Sequence, residues 1–174
     1  MLAGWRSTAR PLVLVGAMCA VSALLGACNV ADEAPKESSQ TGALTRAEYQ
    51  QSIYAIRGGK EATKATRLFF AVVGELDKPD CSVRMHEFHN LLATIMRQVA
   101  DLEPPAEAVD IQRDFLEAAN KSVRYVGEAA TDVDEGTLAC GDAMNKRIYG
   151  LPSTHAAERA IEQLEKLGYS VLGE

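Results

Sequence analysis

The stretch MHEFH puts His86 and His89 three residues apart, so on a helix the two imidazoles sit one turn from each other. Imidazole nitrogens bind zinc and copper, and the thioethers of Met85 and Met96 nearby suit copper. One such pair supplies two ligands, whereas zinc takes three or four, and His155 is the remaining histidine of the three in the chain. A metal-handling bundle therefore needs His155 to pack beside this end. The plainer reading is a solvated pair, since His86 falls opposite the apolar seam of its helix and His89 beside it. The acidic stretch DVDEG fails as a calcium loop. Begun at Asp132, an EF-hand needs Gly at 137 and Glu at 143, and the chain has Thr137 and Ala143. No GxSxG elbow and no phosphate-cradling glycine loop occurs. No catalytic residue and no cofactor is expected, although a helical bundle can hold a site that no local motif reveals.

The four cysteines lie at 19, 28, 81 and 140. The first two belong to an unusual N-terminal region. Arg6 and Arg10 precede an uncharged apolar run, Leu12 to Leu25, and the run ends on Leu25-Gly26-Ala27-Cys28. A basic start, a short apolar core and small residues have the layout of a secretory signal peptide. The 14-residue run is short of the ~20 residues that cross a bilayer as a helix. Leu25-Gly26-Ala27-Cys28 resembles the lipobox of bacterial prolipoproteins. That resemblance implies cleavage after Ala27 and a diacylglyceryl group on the Cys28 sulfur. On that reading Cys19 leaves with residues 1–27 and Cys28 is capped, so Cys81 and Cys140 remain as a pair. Outside the cytoplasm two such thiols form a disulfide, and neither CxxC spacing nor a neighbouring histidine argues for a redox or metal pair.

Residues 28–43 are acidic, polar and poor in packing residues, so they read as a lipidated, disordered tether of roughly 20 Å mean span. Two acyl chains at ~0.8 kcal/mol per buried methylene hold such a protein on the extracytoplasmic face without a spanning helix. The formal net charge of −6 becomes more negative once Arg6 and Arg10 are removed. That balance excludes nucleic acid as the natural partner. The membrane and a second envelope protein are the partner classes left. Residues 44–174 have the size of one domain with its own core.

Within that domain the apolar spacing is helical throughout. Met85, Phe88, Leu92, Ile95, Val99 and Leu102 follow a 3-4-3-4-3 spacing, as do Val109, Gln112, Leu116, Ala119, Val123 and Val126. Such seams pack helices nearly parallel. Asp80 is the expected N-cap of the first of these, and Pro104-Pro105 ends it, with Pro105 expected in the first turn of the next. Leu138, Met144 and Ile148 mark a further helix. Ser153 is the expected cap of the last one, whose stripe is Ala157, Ile161, Leu164 and Leu167 before the stop at Gly168. The expected fold is all-α, an up-down bundle of four to five helices. In that topology the starts of the second and fourth helices share an end, so a Cys81–Cys140 bond is allowed, closing 58 intervening residues.

The first helical stretch, 45–76, carries two apolar sets. Tyr49, Ile53 and Ile56 point one way, and Ala62, Ala65, Phe69, Val72 and Leu76 point nearly opposite on a straight rod. Two adjacent glycines between them cost about 1 kcal/mol each in a helix interior. A kink or break at Gly58-Gly59 is expected, with residues 45–57 docking separately against Ile161 and Leu164; the alternative is one continuous helix wedged between two partners at different heights. Arg57, Lys60, Lys64 and Arg67 recur at 3-4-3 spacing as a basic stripe that suits anionic headgroups, although interleaved Glu61 makes a solvated face the plainer reading.

LTRAEYQQSIYAIR and LEPPAEA resemble segments of a group of small helical lipoproteins from actinobacteria. Those proteins carry a cysteine where this chain has Arg57 and a second near the C-terminus, where this chain reads LGYSVLGE. The resemblance therefore implies the fold and the lipid anchor, and no site residues. The expected function is binding or scaffolding in the cell envelope by a lipid-anchored helical domain. The alternatives are a metal-binding bundle using His86 and His89, and an envelope enzyme without a recognisable motif.

Overall fold

The computed structural model describes residues 42–74, 77–149 and 151–170, which form six α-helices and no strand. The segment read as a signal peptide, Cys28 and all but the end of the expected tether lie outside the described residues. The helices are α1 (Arg46–Gly58), α2 (Lys60–Val72), α3 (Lys78–Ala100), α4 (Val109–Glu135), α5 (Asp142–Tyr149) and α6 (Pro152–Lys166). The all-α expectation holds, and the helix count rises because the first stretch is broken in two. No described helix is long and apolar enough to cross a membrane.

The break sits at Gly59. Its backbone is extended, with φ −69° and ψ 167°, and it ends α1 and starts α2 at once. Neither Gly58 nor Gly59 has positive φ, so left-handed freedom does not explain the pair. Space does. A Cβ on Gly59 would lie 3.1 Å and 3.2 Å from the carbonyl oxygens of Ala55 and Ile56, whereas one on Gly58 would meet nothing within 4 Å. Opposite outcomes are therefore expected. Gly58→Ala stabilises by up to about 1 kcal/mol through helix propensity, and Gly59→Ala destabilises because backbone oxygens cannot step aside. Urea melts of the two single variants check the signs.

α1 opens with a capping box. The Glu48 N–H donates to Thr45 Oγ1 at 3.3 Å, and the Thr45 N–H donates to Glu48 Oε2 at 2.9 Å. Three of the expected boundaries shift. Asp77, not Asp80, caps α3, because Pro79 already occupies its first turn. Pro105 lies outside α4, capping a 3-10 turn (Ala106–Ala108), and Val109 at the turn's end is 46 % exposed rather than part of the seam. Leu151 precedes α6, and Ser153 lies inside it with its hydroxyl 2.8 Å from that of Ser122.

α4 packs along both α3 and α6, and α2 packs along α3 and shares their core. The main core gathers Phe69, Met85, Phe88, Val126, Val133 and Met144. Phe69 meets the rings of Phe88 and Tyr149 at 6.0 Å and 5.3 Å between centroids. Leu76, expected on the α2 stripe, lies outside the described residues.

The two ends of α3 are closed differently. At its start Cys81 is bonded to Cys140, with Cα atoms 5.8 Å apart, as the sequence leads one to expect. Beside that bond the Gly141 N–H donates to the Val72 carbonyl at 3.0 Å, tying α2 to the entry of α5. At the other end a smaller cluster forms from Tyr49, Ala108, Leu164 and Tyr169. Leu167, expected in the stripe, is 38 % exposed, because Gly168 turns the chain with φ 82° and Tyr169 folds back in its place. The Tyr169 N–H then donates to the Leu164 carbonyl at 3.0 Å.

Candidate functional site

Between these two closed ends the bundle is hollow. Leu92 and Val123 occupy seam positions, and Phe115 widens the α4 stripe, yet all three are only half-buried. They face an apolar cavity of about 130 Å³, partly open to solvent. On α3 its lining extends from Phe88 to Val99, and on α4 from Gln112 to Val126. At 1.5 Å per residue those spans are about 16 and 21 Å, so the lining runs along three to four turns of the two helices. α1 lies across it and contributes Tyr49, Ile53, Ile56 and Arg57. α6 closes the side with Thr154, Ile161 and Leu164.

Small residues keep the space open. Ala62 and Ala65 on α2 and Ala119 on α4 stand where longer aliphatic side chains would fill it. An unfilled cavity of this volume costs about 3 kcal/mol at ~24 cal/mol per Å³, a large share of the 5–15 kcal/mol that holds a domain together. A compact apolar hollow of about 150 Å³ is enough to take a benzene ring.

Among the polar residues of the lining, Gln112 and Arg57 stand apart. Gln112 donates from Nε2 to the Leu102 carbonyl at 3.0 Å, which fixes the amide, and its Oε1 is buried without a protein partner. Among the described residues, Arg57 is the one charged residue of the lining. It is half-buried in the last turn of α1, and desolvation lowers its pKa from the usual guanidinium value.

α1 is held at its N-terminal end by the smaller cluster. Tyr49 and Tyr169 meet edge to face at 5.7 Å, and Arg46 lies 4.8 Å over the Tyr169 ring. Arg46 also donates to the Leu167 carbonyl, and the Leu44 N–H donates to the Glu103 carbonyl at 2.9 Å. The Tyr169 hydroxyl donates to Glu107 Oε1 at 2.8 Å. Tyr49 docks beside Leu164, as expected for a separate first arm. Tyr49 was legible as apolar. Tyr169 was not, since it lies beyond the helix stop.

Burial pushes both phenols up to about 12, helped at Tyr169 by its bond to Glu107. A raised phenol pKa favours the neutral form in the folded state. The stability it contributes is complete below about pH 10 and is lost as pH rises toward 12. An alkaline transition in that window is expected, read as tyrosinate absorbance coinciding with loss of helix. Tyr49→Phe should move it upward, and tyrosines that all ionise near pH 10 with no such transition would contradict the reading.

Comparison with protein-family models, with characterised proteins and with solved structures finds no match to this chain. The remaining sequence candidates are therefore placed on geometry alone. His86 bonds through Nε2 to Asp134 Oδ2 at 2.8 Å, and Asp134 Oδ1 accepts from Ser82 at 2.5 Å. His89 packs instead against Gly127, where a Cβ would come within 3.0 Å of its Nε2. His155 pairs with Glu158 on its own helix at 3.0 Å. Among the described residues no three histidine, cysteine or acidic side chains gather for a metal, so the third ligand that His86 and His89 need is not brought to them.

The basic stripe is divided. Its spacing assumes one continuous helix, and the break at Gly59 separates Arg57, half-buried at the cavity, from the exposed Lys60, Lys64 and Arg67 on α2. Lys60 lies 3.7 Å from Glu61, and Lys64 pairs with Glu87 across to α3.

Proposed function

We propose that this chain is a lipid-anchored protein of the bacterial cell envelope whose helical domain binds a small apolar molecule inside the bundle. The observation that carries the binding reading is the apolar cavity, kept open by alanines at a cost to stability. The anchor rests on the sequence. Leu25-Gly26-Ala27-Cys28 follows a charge-free run too short to span a membrane, and the acidic tether lets the domain sit close to the lipid surface.

Each half has its own test. Cells fed an alkyne-bearing palmitate should incorporate it at Cys28, and Cys28→Ala should abolish both that label and recovery with membranes. A wild-type protein secreted free after cleavage elsewhere would overturn the anchor. For the cavity, organic extraction of the full chain purified from its own membranes should release about one lipophilic molecule per protein. Ala119→Phe places a ring in the hollow and should deplete that molecule several-fold while the helix content is kept. Equal amounts from both proteins would show that the molecule does not reside there.

A further inference from the structure

α2 turns toward solvent a face unlike the chain as a whole. Its exposed residues are Lys60, Lys64, Arg67 and Phe70, and every other residue of the helix is buried or half-buried. At 3.6 residues per turn these four fall within an arc of about 120°, opposite the buried stripe of Ala62, Ala65, Phe69 and Val72. The whole chain has a formal net charge of −6, yet this face carries three cations and no acid. Glu61, interleaved in the sequence, lies about 60° beyond the arc, half-buried, and approaches Lys60 from the flank at 3.7 Å. Lys64, at the edge of the face, pairs with Glu87 on α3.

Phe70 is what a merely solvated basic face would lack. It is 54 % exposed, one turn beyond Arg67, with its ring 5.5 Å from that of Phe69 beneath it. An anionic bilayer offers both groups a place, since its headgroups attract cations and its acyl boundary takes an aromatic ring. On the anchored reading, residues 28–43 hold the domain within roughly 20 Å of such a surface. At the effective concentration this tether sets, a weak contact is enough. We propose that α2 docks on an anionic lipid surface, with Lys60, Lys64 and Arg67 at the headgroups and Phe70 at the acyl boundary. This step rests on the lipid anchor proposed above and is independent of the cavity.

Docking through α2 fixes which end of the bundle meets the lipid. Phe70 lies two residues before Val72, whose carbonyl accepts from Gly141 beside the disulfide at the start of α3. Val109 follows the far end of α3 and is 46 % exposed, so it offers an apolar surface away from the basic face. Its charged neighbours Asp110 and Arg113 pair with each other. A membrane drawn by apolar exposure alone would take either end, and one drawn by charge and ring together takes α2.

The test uses the full chain, purified from its own membranes and reconstituted into vesicles with brominated acyl chains. One set is phosphatidylcholine alone, and the other contains phosphatidylglycerol as well. The chain's one tryptophan is Trp5, so Phe70→Trp and Val109→Trp each add a reporter, and the unsubstituted chain is the blank. The indole at position 70 is expected to be quenched in the anionic vesicles and not in the neutral ones. About 1 M salt, where the screening length falls to ~3 Å, should remove that quenching. Adding Lys60→Gln and Arg67→Gln should lower the docked-to-undocked ratio roughly thirtyfold. The indole at position 109 should stay unquenched in both. Recovery with neutral vesicles reports the anchor by itself, and a chain absent from them overturns the anchor and this proposal together. If the chain is recovered with both vesicles, three results overturn the docking and leave the anchor standing. They are no quenching at position 70, equal quenching there in neutral and anionic lipid, and quenching at position 109 as strong as at 70. An unquenched position 70 that is shielded from iodide in native membranes would assign the face to an envelope protein instead.

Discussion

Opening the Cys81–Cys140 bond is expected to lower the unfolding free energy of the helical domain, residues 44–174, by about 4 kcal/mol. The bond joins residues 59 apart, and the entropy it withholds from the unfolded chain grows with the logarithm of that separation. At roughly 3–6 °C per kcal/mol for a domain of this size, the melting temperature should fall by on the order of 15 °C. The bond closes the end of the bundle where the chain enters its shortest helix. α5 is eight residues long, and the segment before it is held by the disulfide and by the Gly141 N–H on the Val72 carbonyl. Cys81 is 1 % exposed and sits in the main core, so the double variant Cys81→Ala, Cys140→Ala adds a small packing loss to the entropic one. Urea unfolding of oxidised and reduced protein separates the two contributions. A reduced protein within 1 kcal/mol of the oxidised one would mean that the unfolded chain already keeps this loop closed.

What the sequence disclosed and what it hid divide along a physical line. Seam positions such as Met85, Phe88, Ile95 and Val126 were legible because helical period and core-facing burial coincide there. The break at the glycine pair was legible for the same reason, since two apolar sets on opposite sides cannot share one straight rod. The reason for the second glycine was not, because it depends on where two carbonyl oxygens lie. Thr45-Arg46-Ala47-Glu48 is a capping box in plain view, and its signal locates the start of α1 without any structure. Tyr169 gave no signal at all, because the burial of a residue past a helix stop depends on the turn that follows. The cavity was equally silent. Periodicity reports which side of a helix faces inward, and Leu92, Phe115 and Val123 do face inward. It cannot report whether anything stands opposite them. The disulfide pairing was legible through the compartment implied by the N-terminus, with topology merely permitting it.

That silence can be converted into a stability measurement along one face of α4. Ala119 and Ala130 share the stripe through Val126, and a reading of the sequence alone treats them alike. Ala119 borders the hollow, whereas Ala130 is fully buried in the packed core and does not line it. A leucine at 119 would place its added methyl groups in empty space, and at ~0.8 kcal/mol per buried methylene, less some lost rotamer freedom, it should stabilise by about 1–2 kcal/mol. A leucine at 130 must displace atoms already in contact, and it should cost about 1–3 kcal/mol through strain. The two variants are thus expected to differ by about 3 kcal/mol with opposite signs, on the same helix and with the same chemistry. Equal destabilisation at both positions in urea melts would show that the space beside Ala119 is filled by protein. The expected result also carries a functional consequence. The more stable Ala119→Leu protein should hold less of whatever lipophilic molecule the wild type carries, because the atoms that strengthen the fold occupy the ligand's place.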